Sequence, residues 1–137
     1  MKKFVLALDE LEILLRYIKD EISSGVVILK GDLASGKTTF VKKFVKFIGV
    51  DDDVTSPTFS LQQCYGNEIF HYDIYNKGLE HFISLGMLEE LDKDGIHFVE
   101  WGDDSLIEIL SSAGIKTLSI EIKKIEDTKR EYIVCTH

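Results

Sequence analysis

Hydrophobic positions follow two different periods along this chain, and each period predicts one kind of element. Residues 26–30 and 96–101 are short apolar runs, which are typical of strands with both faces buried. Elsewhere apolar residues recur every three or four positions, which is the spacing of one face of a helix. Residues 9–22 show this spacing, and so does the stretch that ends near Ile48. The chain therefore predicts helices packed against buried strands.

The remaining pattern completes an alternation of strands and helices. Further strands are predicted at residues 3–8, 59–65, 68–75, 116–125 and 130–137. A further helix is predicted at residues 103–114, and residues 78–95 are predicted to be helical or partly so. Two pairs of these strands are separated by short turns, which predicts antiparallel hairpins. Because no repeat or linker divides the chain, residues 1–137 are interpreted as a single domain. We expect a three-layer α/β fold whose central sheet is mixed but mainly parallel.

One stretch between a predicted buried strand and an amphipathic helix carries a chemical motif. Residues 31–38 read "GDLASGKT", which matches the Walker A pattern G-x-x-x-x-G-K-[ST]. Gly31 permits a sharp turn, and Gly36 permits backbone N–H groups to approach phosphate oxygens. Lys37 supplies a charge for the β- and γ-phosphates, and Thr38 offers a hydroxyl to Mg²⁺. Together with the positive end of the following helix, the motif predicts a nucleotide site and a P-loop NTPase-like fold.

A magnesium ion in such a site needs further oxygen ligands, and two acids qualify. Asp73 ends the stretch "EIFHYD" and Glu100 ends "IHFVE", so both are expected at the strand edge where open α/β sheets bind ligands. Spacing alone leaves open which acid binds Mg²⁺ and which orients water or substrate. His71 shares a strand face with Asp73 and is interpreted as a packed histidine rather than a catalytic one. Trp101 is predicted either to pack in the core or to lie at the site or at a partner surface, and the sequence favours neither.

Charge and arginine content narrow the class of nucleotide-binding protein. The formal net charge of −8 argues against direct binding of nucleic acid, because Lys and Arg supply most of such affinity. Arg16 and Arg130 are the only arginines, whereas small-molecule kinases usually stabilise the transferred phosphoryl group with several. A weak ATPase whose turnover is controlled by a partner is therefore favoured. A small-molecule kinase and a nucleotide-gated binding module without useful hydrolysis are the alternatives.

The sequence contains no feature that predicts export or membrane insertion. No apolar run approaches the roughly 18–20 residues of a membrane span, and the first residues lack the pattern of a signal peptide. Cys64 and Cys135 are the only cysteines, and we interpret them as reduced thiols. We therefore expect a cytoplasmic protein that has no membrane contact.

Four short motifs, taken in order, connect the chain with a known family. They are "GDLASGKTTF", "VTSPTF", "HYDIY" and "VEW", all within residues 26–101. Together they resemble the TsaE family (also called YjeE), small bacterial P-loop ATPases required for making N6-threonylcarbamoyladenosine (t6A) in tRNA. The resemblance implies a protein that binds and hydrolyses ATP with Mg²⁺ and acts with the TsaB–TsaD complex. That complex would transfer the group and hold the tRNA, so this chain is expected to meet tRNA only indirectly.

The resemblance also implies roles for individual residues. Thr38 and Glu100 are expected to bind Mg²⁺, while Asp73, a further candidate metal ligand, takes a Walker B-like or catalytic role. Residues 55–58 are expected to form a switch-like loop near the γ-phosphate, and Thr58 joins Lys37, Asp73 and Glu100 as a catalytic candidate. Trp101 is expected beside the site. The candidate nucleotide-binding residues are Gly31, Asp32, Leu33, Ala34, Ser35, Gly36, Lys37, Thr38, Thr39 and Arg130.

Three positions depart from the common pattern of the family. This chain has Ala34 where the family commonly has Gly, and Asn76 where it often has Arg. It has Gly102 where the family often has Pro or Ala. No role is carried over to these three positions.

Overall fold

The computed structural model describes residues 1–32, 35–51, 62–66, 68–75 and 78–137. The strands are β1 (Lys2–Ala7), β2 (Gly25–Lys30), β3 (Gln62–Tyr65), β4 (Ile69–Asp73), β5 (Ile96–Glu100), β6 (Thr117–Lys124) and β7 (Lys129–Thr136). The helices are α1 (Glu12–Glu21), α2 (Lys37–Phe47), α3 (Gly78–Ser84), α4 (Met87–Leu91) and α5 (Asp104–Ser112), with a short 3₁₀ turn at Leu8–Glu10. Within the described ranges, none of the helices is both long and apolar enough to cross a membrane.

In the described ranges, seven strands form one sheet in the order β1-β7-β6-β2-β5-β4-β3. The central strands β6, β2, β5 and β4 run parallel to one another. The pairs β1–β7, β6–β7 and β3–β4 at the flanks are antiparallel. The prediction of an α/β fold with a mixed sheet that is parallel at its centre is confirmed. Because β2 lies in the middle, the loop that leaves it begins between β6 and β5.

Helices cover both faces of the sheet and form two hydrophobic cores. The side chains of β2 alternate between them, since Val27 and Leu29 join the core that contains the α1 and α2 residues, whereas Val26 and Ile28 join the other. The helical residues of the first core include Leu14, Ile18, Phe40 and Phe44, and those of the second include Phe82, Leu91, Leu106 and Leu110. A strand buried on both faces requires apolar side chains throughout, as its sequence predicted.

The structure refines the sequence-based prediction for two helical stretches. Residues 78–95, predicted to be helical or partly so, contain two helices, α3 and α4, with Gly86 between them at a φ of 74°. Glycine adopts this left-handed conformation at little steric cost, so the first helix ends there. The predicted helix over residues 9–22 begins as the 3₁₀ turn, where the Glu10 carboxylate accepts the Ala7 N–H at 2.9 Å. Helix α1 therefore begins three residues later than predicted.

A buried histidine joins β4 and β5 on the sheet face that packs against α3, α4 and α5. His97 is fully buried, and its Nδ1 lies 2.7 Å from the Tyr72 hydroxyl. Its Nε2 lies 2.8 Å from the Lys93 carbonyl, which only accepts, so Nε2 carries the proton and Nδ1 accepts from Tyr72. Burial lowers the pKa of His97 from its ordinary value of 6.5, and the bond to the Lys93 carbonyl offsets this only in part. The fold therefore stabilises the neutral ring.

The turn that leaves β2 depends on the absence of a side chain. Gly31 has a φ of 153°, in the region where residues with a Cβ are strained. A Cβ at this position would lie 2.5 Å from Ser35 Oγ and 2.7 Å from the Ile122 carbonyl oxygen. Gly114, after α5, also has a positive φ, 77°, but a Cβ there would meet no atom within 4 Å. A Cβ at Gly114 would therefore cause backbone strain alone, whereas a Cβ at Gly31 would cause both backbone strain and steric overlap.

We predict that stability falls as the solution is acidified through the titration of His97. The unfolded chain binds a proton at the ordinary pKa of 6.5 and the folded chain only at a lower value, so the unfolded state gains protons first. This contribution to stability is complete above the ordinary pKa and is lost as the pH falls towards the lower folded value. Urea unfolding at about pH 7.5 and about pH 5.5 should show a larger loss for wild type than for His97→Asn. Equal losses in both proteins would contradict the prediction.

We predict that Gly31→Ala destabilises the fold more than Gly114→Ala. The control substitution introduces only left-handed strain, which costs about 1–2 kcal/mol. Gly31→Ala adds overlap with backbone, and such overpacking costs a further ~1–3 kcal/mol. Free energies of unfolding from urea titration provide the comparison, and equal losses would show that the turn accommodates a Cβ.

Candidate functional site

The loop between β2 and α2 contains the Walker A motif. Gly36 has a φ of 109° and directly precedes the first helical residue, Lys37. The Phe40 N–H donates to the Gly36 carbonyl at 2.9 Å, which closes the first turn of α2. The first N–H groups of a helix lack intrahelical partners, and the helix dipole favours negative charge at this end. The loop therefore ends where a phosphate group can be held.

The Lys37 ammonium lies against its own loop. Nζ donates to the Gly31 carbonyl at 2.6 Å and to the Asp32 carbonyl at 2.9 Å. The residue is only 5% exposed. Burial lowers the pKa of Lys37, and the carboxylates of Glu100, Asp73 and Asp32 oppose this shift. The loop thus holds a cation in place by hydrogen bonds at one edge of a cavity lined by acids.

Trp101 lies at the site and not in the middle of a core. Its ring centroid is 3.8 Å from Lys37 Nζ, a distance at which a cation is attracted to an aromatic face. Trp101 has a φ of 67°, a conformation that is rare for residues other than glycine. The Tyr75 ring packs against the indole with 4.5 Å between centroids. The chain therefore turns sharply after β5 and places an aromatic face over the lysine.

Glu100 is a buried carboxylate that joins α2 to the sheet. The residue is 3% exposed, and its Oε2 accepts a hydrogen bond from Thr38 Oγ1 at 2.9 Å. The same oxygen contacts Nε2 of His71, which is fully buried on β4. A buried carboxylate is stable only when such donors replace its hydration. The hydroxyl and carboxylate expected at a magnesium site are therefore adjacent.

Asp73 lies beside Glu100 because the two residues are partners in the parallel pairing of β4 and β5. Its Oδ1 accepts the Tyr75 N–H at 2.9 Å. Unlike the buried Glu100, Asp73 is half-buried. Both acids line a cavity of about 330 Å³ together with Ser35, Gly36, Lys37, Thr38, Thr39, Tyr75, Trp101 and Arg130. The carboxyl ends of neighbouring parallel strands thus bring both acids to the loop.

A second cavity, of about 700 Å³, adjoins the first at the start of α2. Its lining includes Thr39, Phe40 and Lys43 from α2 and Tyr132 from β7. Arg130 lines both cavities, and its Nε donates to the Ser35 carbonyl at 3.1 Å. The two volumes lie within the range of ligand sites in proteins. A ligand that occupies both cavities would therefore contact the Arg130 side chain.

The structure brings most of the predicted site residues to one place. Ser35, Gly36, Lys37, Thr38, Thr39, Asp73, Glu100 and Arg130 line the smaller cavity. Gly31 and Asp32 contact the Lys37 ammonium through their carbonyls. Leu33, Ala34, Asn76 and residues 55–58, which include Thr58, lie outside the described residues. The roles expected of them stay predictions.

Two residues at the site were not identified as functional from the sequence. His71 was interpreted only as a packed histidine, yet it contacts the Glu100 carboxylate. Tyr75 was assigned no role, yet it supports the Trp101 ring. The contact of His71 with Glu100 follows from the arrangement of the strands. His71 lies two positions before Asp73, so it faces the same side of the sheet as Glu100 when β4 and β5 pair in parallel. Pairing between strands distant in sequence could not be deduced from spacing alone.

Comparison with known proteins identifies the chain. A family model described as "Threonylcarbamoyl adenosine biosynthesis protein TsaE" matches residues 7–132. A Treponema pallidum protein named tRNA threonylcarbamoyladenosine biosynthesis protein TsaE is 35% identical over 112 residues, which cover 80% of each chain. A Bacillus subtilis protein of the same name is 37% identical over 109 residues, or 77% of this chain and 66% of the relative.

A solved structure agrees with this match. The crystal structure of Bacillus subtilis YdiB superposes with a TM-score of 0.68 at 26% sequence identity, covering 98% of this chain and 84% of the other. The family resemblance seen in the four motifs is confirmed. The chain belongs to the TsaE family of tRNA threonylcarbamoyladenosine biosynthesis proteins, a family of P-loop nucleotide-binding proteins.

Proposed function

We propose that this protein binds ATP with Mg²⁺ and hydrolyses it slowly, in support of t6A formation by the TsaB–TsaD complex. The observation that carries the proposal is the meeting of Lys37, Thr38, Asp73 and Glu100 in one cavity at the start of α2. Phosphoryl transfer in P-loop proteins depends on positioning and charge stabilisation, and these groups supply both.

The phosphate chain would lie along the loop and the nucleoside in the larger cavity. Lys37 Nζ already has two carbonyl acceptors within 2.9 Å, and its third proton can reach a β- or γ-phosphate oxygen. The cavity beside Thr39 and Lys43 has the volume for a base and ribose. Arg130, between the two cavities, would lie against the phosphates or the ribose.

Thr38 and Glu100 fit a magnesium ion better than Asp73 does. Their oxygens are 2.9 Å apart in a cavity beside the loop, and Mg²⁺ takes oxygen ligands while keeping several waters. When bound there, Mg²⁺ would neutralise charge on the β- and γ-phosphates. Asp73, which is less buried, would then orient a water molecule or accept its proton.

The charge of the chain supports a partner-dependent role. With a formal net charge of −8, contact with tRNA would be repulsive over most of the surface. TsaB–TsaD would therefore hold the tRNA and carry out the group transfer. ATP turnover by this chain would reset that complex between cycles.

We predict that Lys37→Ala weakens ATP binding by about 10–100-fold, because a charge-assisted hydrogen bond contributes about 1.5–3 kcal/mol. Calorimetric titration with ATP and Mg²⁺ measures the change. Lys46→Ala is the matched control, since Lys46 is an exposed lysine near the other end of α2. Unchanged affinity in Lys37→Ala would contradict the proposed nucleotide site.

We predict that TsaB–TsaD raises the ATP turnover of the wild-type chain and that Asp73→Ala abolishes the increase. Because Asp73 is assigned to the water and not to the phosphates, ATP affinity should change little. Release of inorganic phosphate provides the rate, and Asp94→Ala, at an exposed acid before β5, is the control.

Two results would contradict this account in different ways. If the complex neither binds the chain nor changes its rate, the partnership is wrong. If a small-molecule acceptor becomes phosphorylated and little inorganic phosphate is released, the protein is a kinase.

A further inference from the structure

We infer that His71 is a positioning residue that holds the Glu100 carboxylate in place beside Thr38, and that Tyr65 in turn holds His71. The inference rests on the proposed function, because it assigns these side chains to a magnesium–nucleotide site. His71 is 0% exposed and Glu100 is 3% exposed. Two such groups are stable in a core only through their hydrogen bonds to each other and to neighbours.

The register of the sheet explains why His71 reaches Glu100. In the parallel pairing of β4 and β5, His71 is opposite Phe98 and Asp73 is opposite Glu100. Side chains two residues apart on a strand share a face, so all four lie on the face covered by α2. His71 lies two residues before Asp73, which is the last residue of β4. It therefore meets Glu100 diagonally, inside the sheet, while Asp73 stays at the rim.

The hydrogen bonds from His71 and Thr38 hold Oε2 of the Glu100 carboxylate, and this fixes the direction of Oε1. An ionised carboxylate only accepts, so His71 Nε2–H donates to Glu100. In the described part of the chain, this bond and the 2.9 Å bond from Thr38 both end on Oε2. Rotation of the carboxylate would break both bonds at once. Oε1 is thereby presented in a fixed direction, which is what a ligand to a cation with strict geometry requires.

A second bond holds the imidazole from behind. With the ring proton on Nε2, His71 Nδ1 accepts from the Tyr65 hydroxyl, which lies 3.0 Å away, and the Gln63 side-chain amide lies 2.7 Å from the same hydroxyl. Tyr65 is buried, and its ring centroid is 5.9 Å from that of His71. Tyr65 and Gln63 belong to β3, the last strand of the sheet. The row of side chains thus links the edge strand to Glu100 and, through it, to Thr38.

A second tyrosine–histidine pair, formed by Tyr72 of β4 and His97 of β5, bonds to a different partner. His97 is also fully buried, and it bonds to the Tyr72 hydroxyl, which accepts from Gln62 of β3. Its other ring nitrogen bonds to the Lys93 carbonyl. The residue types and burial match those of the first pair, but within the described residues His97 bonds to Tyr72 and Lys93 and not to Glu100. A role limited to packing would make the two pairs equivalent, whereas a positioning role would not.

The experiment measures how much Mg²⁺ strengthens binding of a non-hydrolysable ATP analogue, by calorimetric titration with Mg²⁺ and with EDTA. His71→Leu should reduce this gain by about tenfold, as expected when the hydrogen-bond partner of a metal ligand is removed. Affinity in EDTA should change little. His71→Gln, whose amide can still donate to Glu100, should restore most of the gain, and His97→Leu should leave it as in wild type.

The other outcomes show whether the inference about His71 is wrong or whether the proposed magnesium–nucleotide site is wrong. If His71→Leu keeps the wild-type gain, or if His97→Leu loses as much, His71 is only a packing residue and the inference is wrong. If wild type fails to bind the analogue, or binds it equally with Mg²⁺ and EDTA, the proposed magnesium–nucleotide site itself is wrong.

A pair of milder variants covers the case in which His71→Leu does not fold. Tyr65→Phe and Tyr72→Phe each remove one hydroxyl and keep the ring. Tyr65→Phe should reduce the Mg²⁺ gain, by less than His71→Leu, and Tyr72→Phe should not. Equal gains in the two variants would overturn the inference.

Discussion

The carboxylate of Glu100 is the group on which the arrangement of the site depends. A buried carboxylate must be hydrogen-bonded, and its partners come from two other elements, Thr38 at the start of α2 and His71 on β4. One side chain therefore fixes the position of helix α2 relative to two parallel strands. The Lys37 ammonium is close enough to be attracted by the same charge. Removing the carboxylate would leave a hydroxyl, an imidazole and a cation without their common partner.

A buried cation explains how an acidic chain could hold a polyanion. The net charge of −8 is opposed locally by Lys37, by Arg130 at the Ser35 carbonyl and by the N-terminus of α2. Trp101 contributes by covering Lys37, since an aromatic face stabilises a cation without neutralising it. Three positive contributions thus meet at one loop, which suits binding of a small anion.

The sequence predicted the parts of this site that are local along the chain. The Walker A residues and the flanking strand and helix are contiguous, and the apolar runs that end in Asp73 and Glu100 marked two strand ends. The contact of His71 with Glu100 depends on strand order, which no local pattern contains. The position at which the helical stretch 78–95 divides was not predicted, for another reason. The apolar spacing continues through that stretch, and Gly86 ends the first helix through its backbone conformation.

The central claim is that the Thr38 hydroxyl and the Glu100 carboxylate form the protein side of a magnesium site. A crystal structure with Mn²⁺ in place of Mg²⁺ and a non-hydrolysable ATP analogue tests it most directly, because the anomalous signal of manganese locates the ion. The account predicts the ion beside the phosphates, with Thr38 Oγ1 and a Glu100 oxygen among its ligands. An ion bound by Asp73 alone, with the bond between Thr38 and Glu100 unchanged, would contradict it.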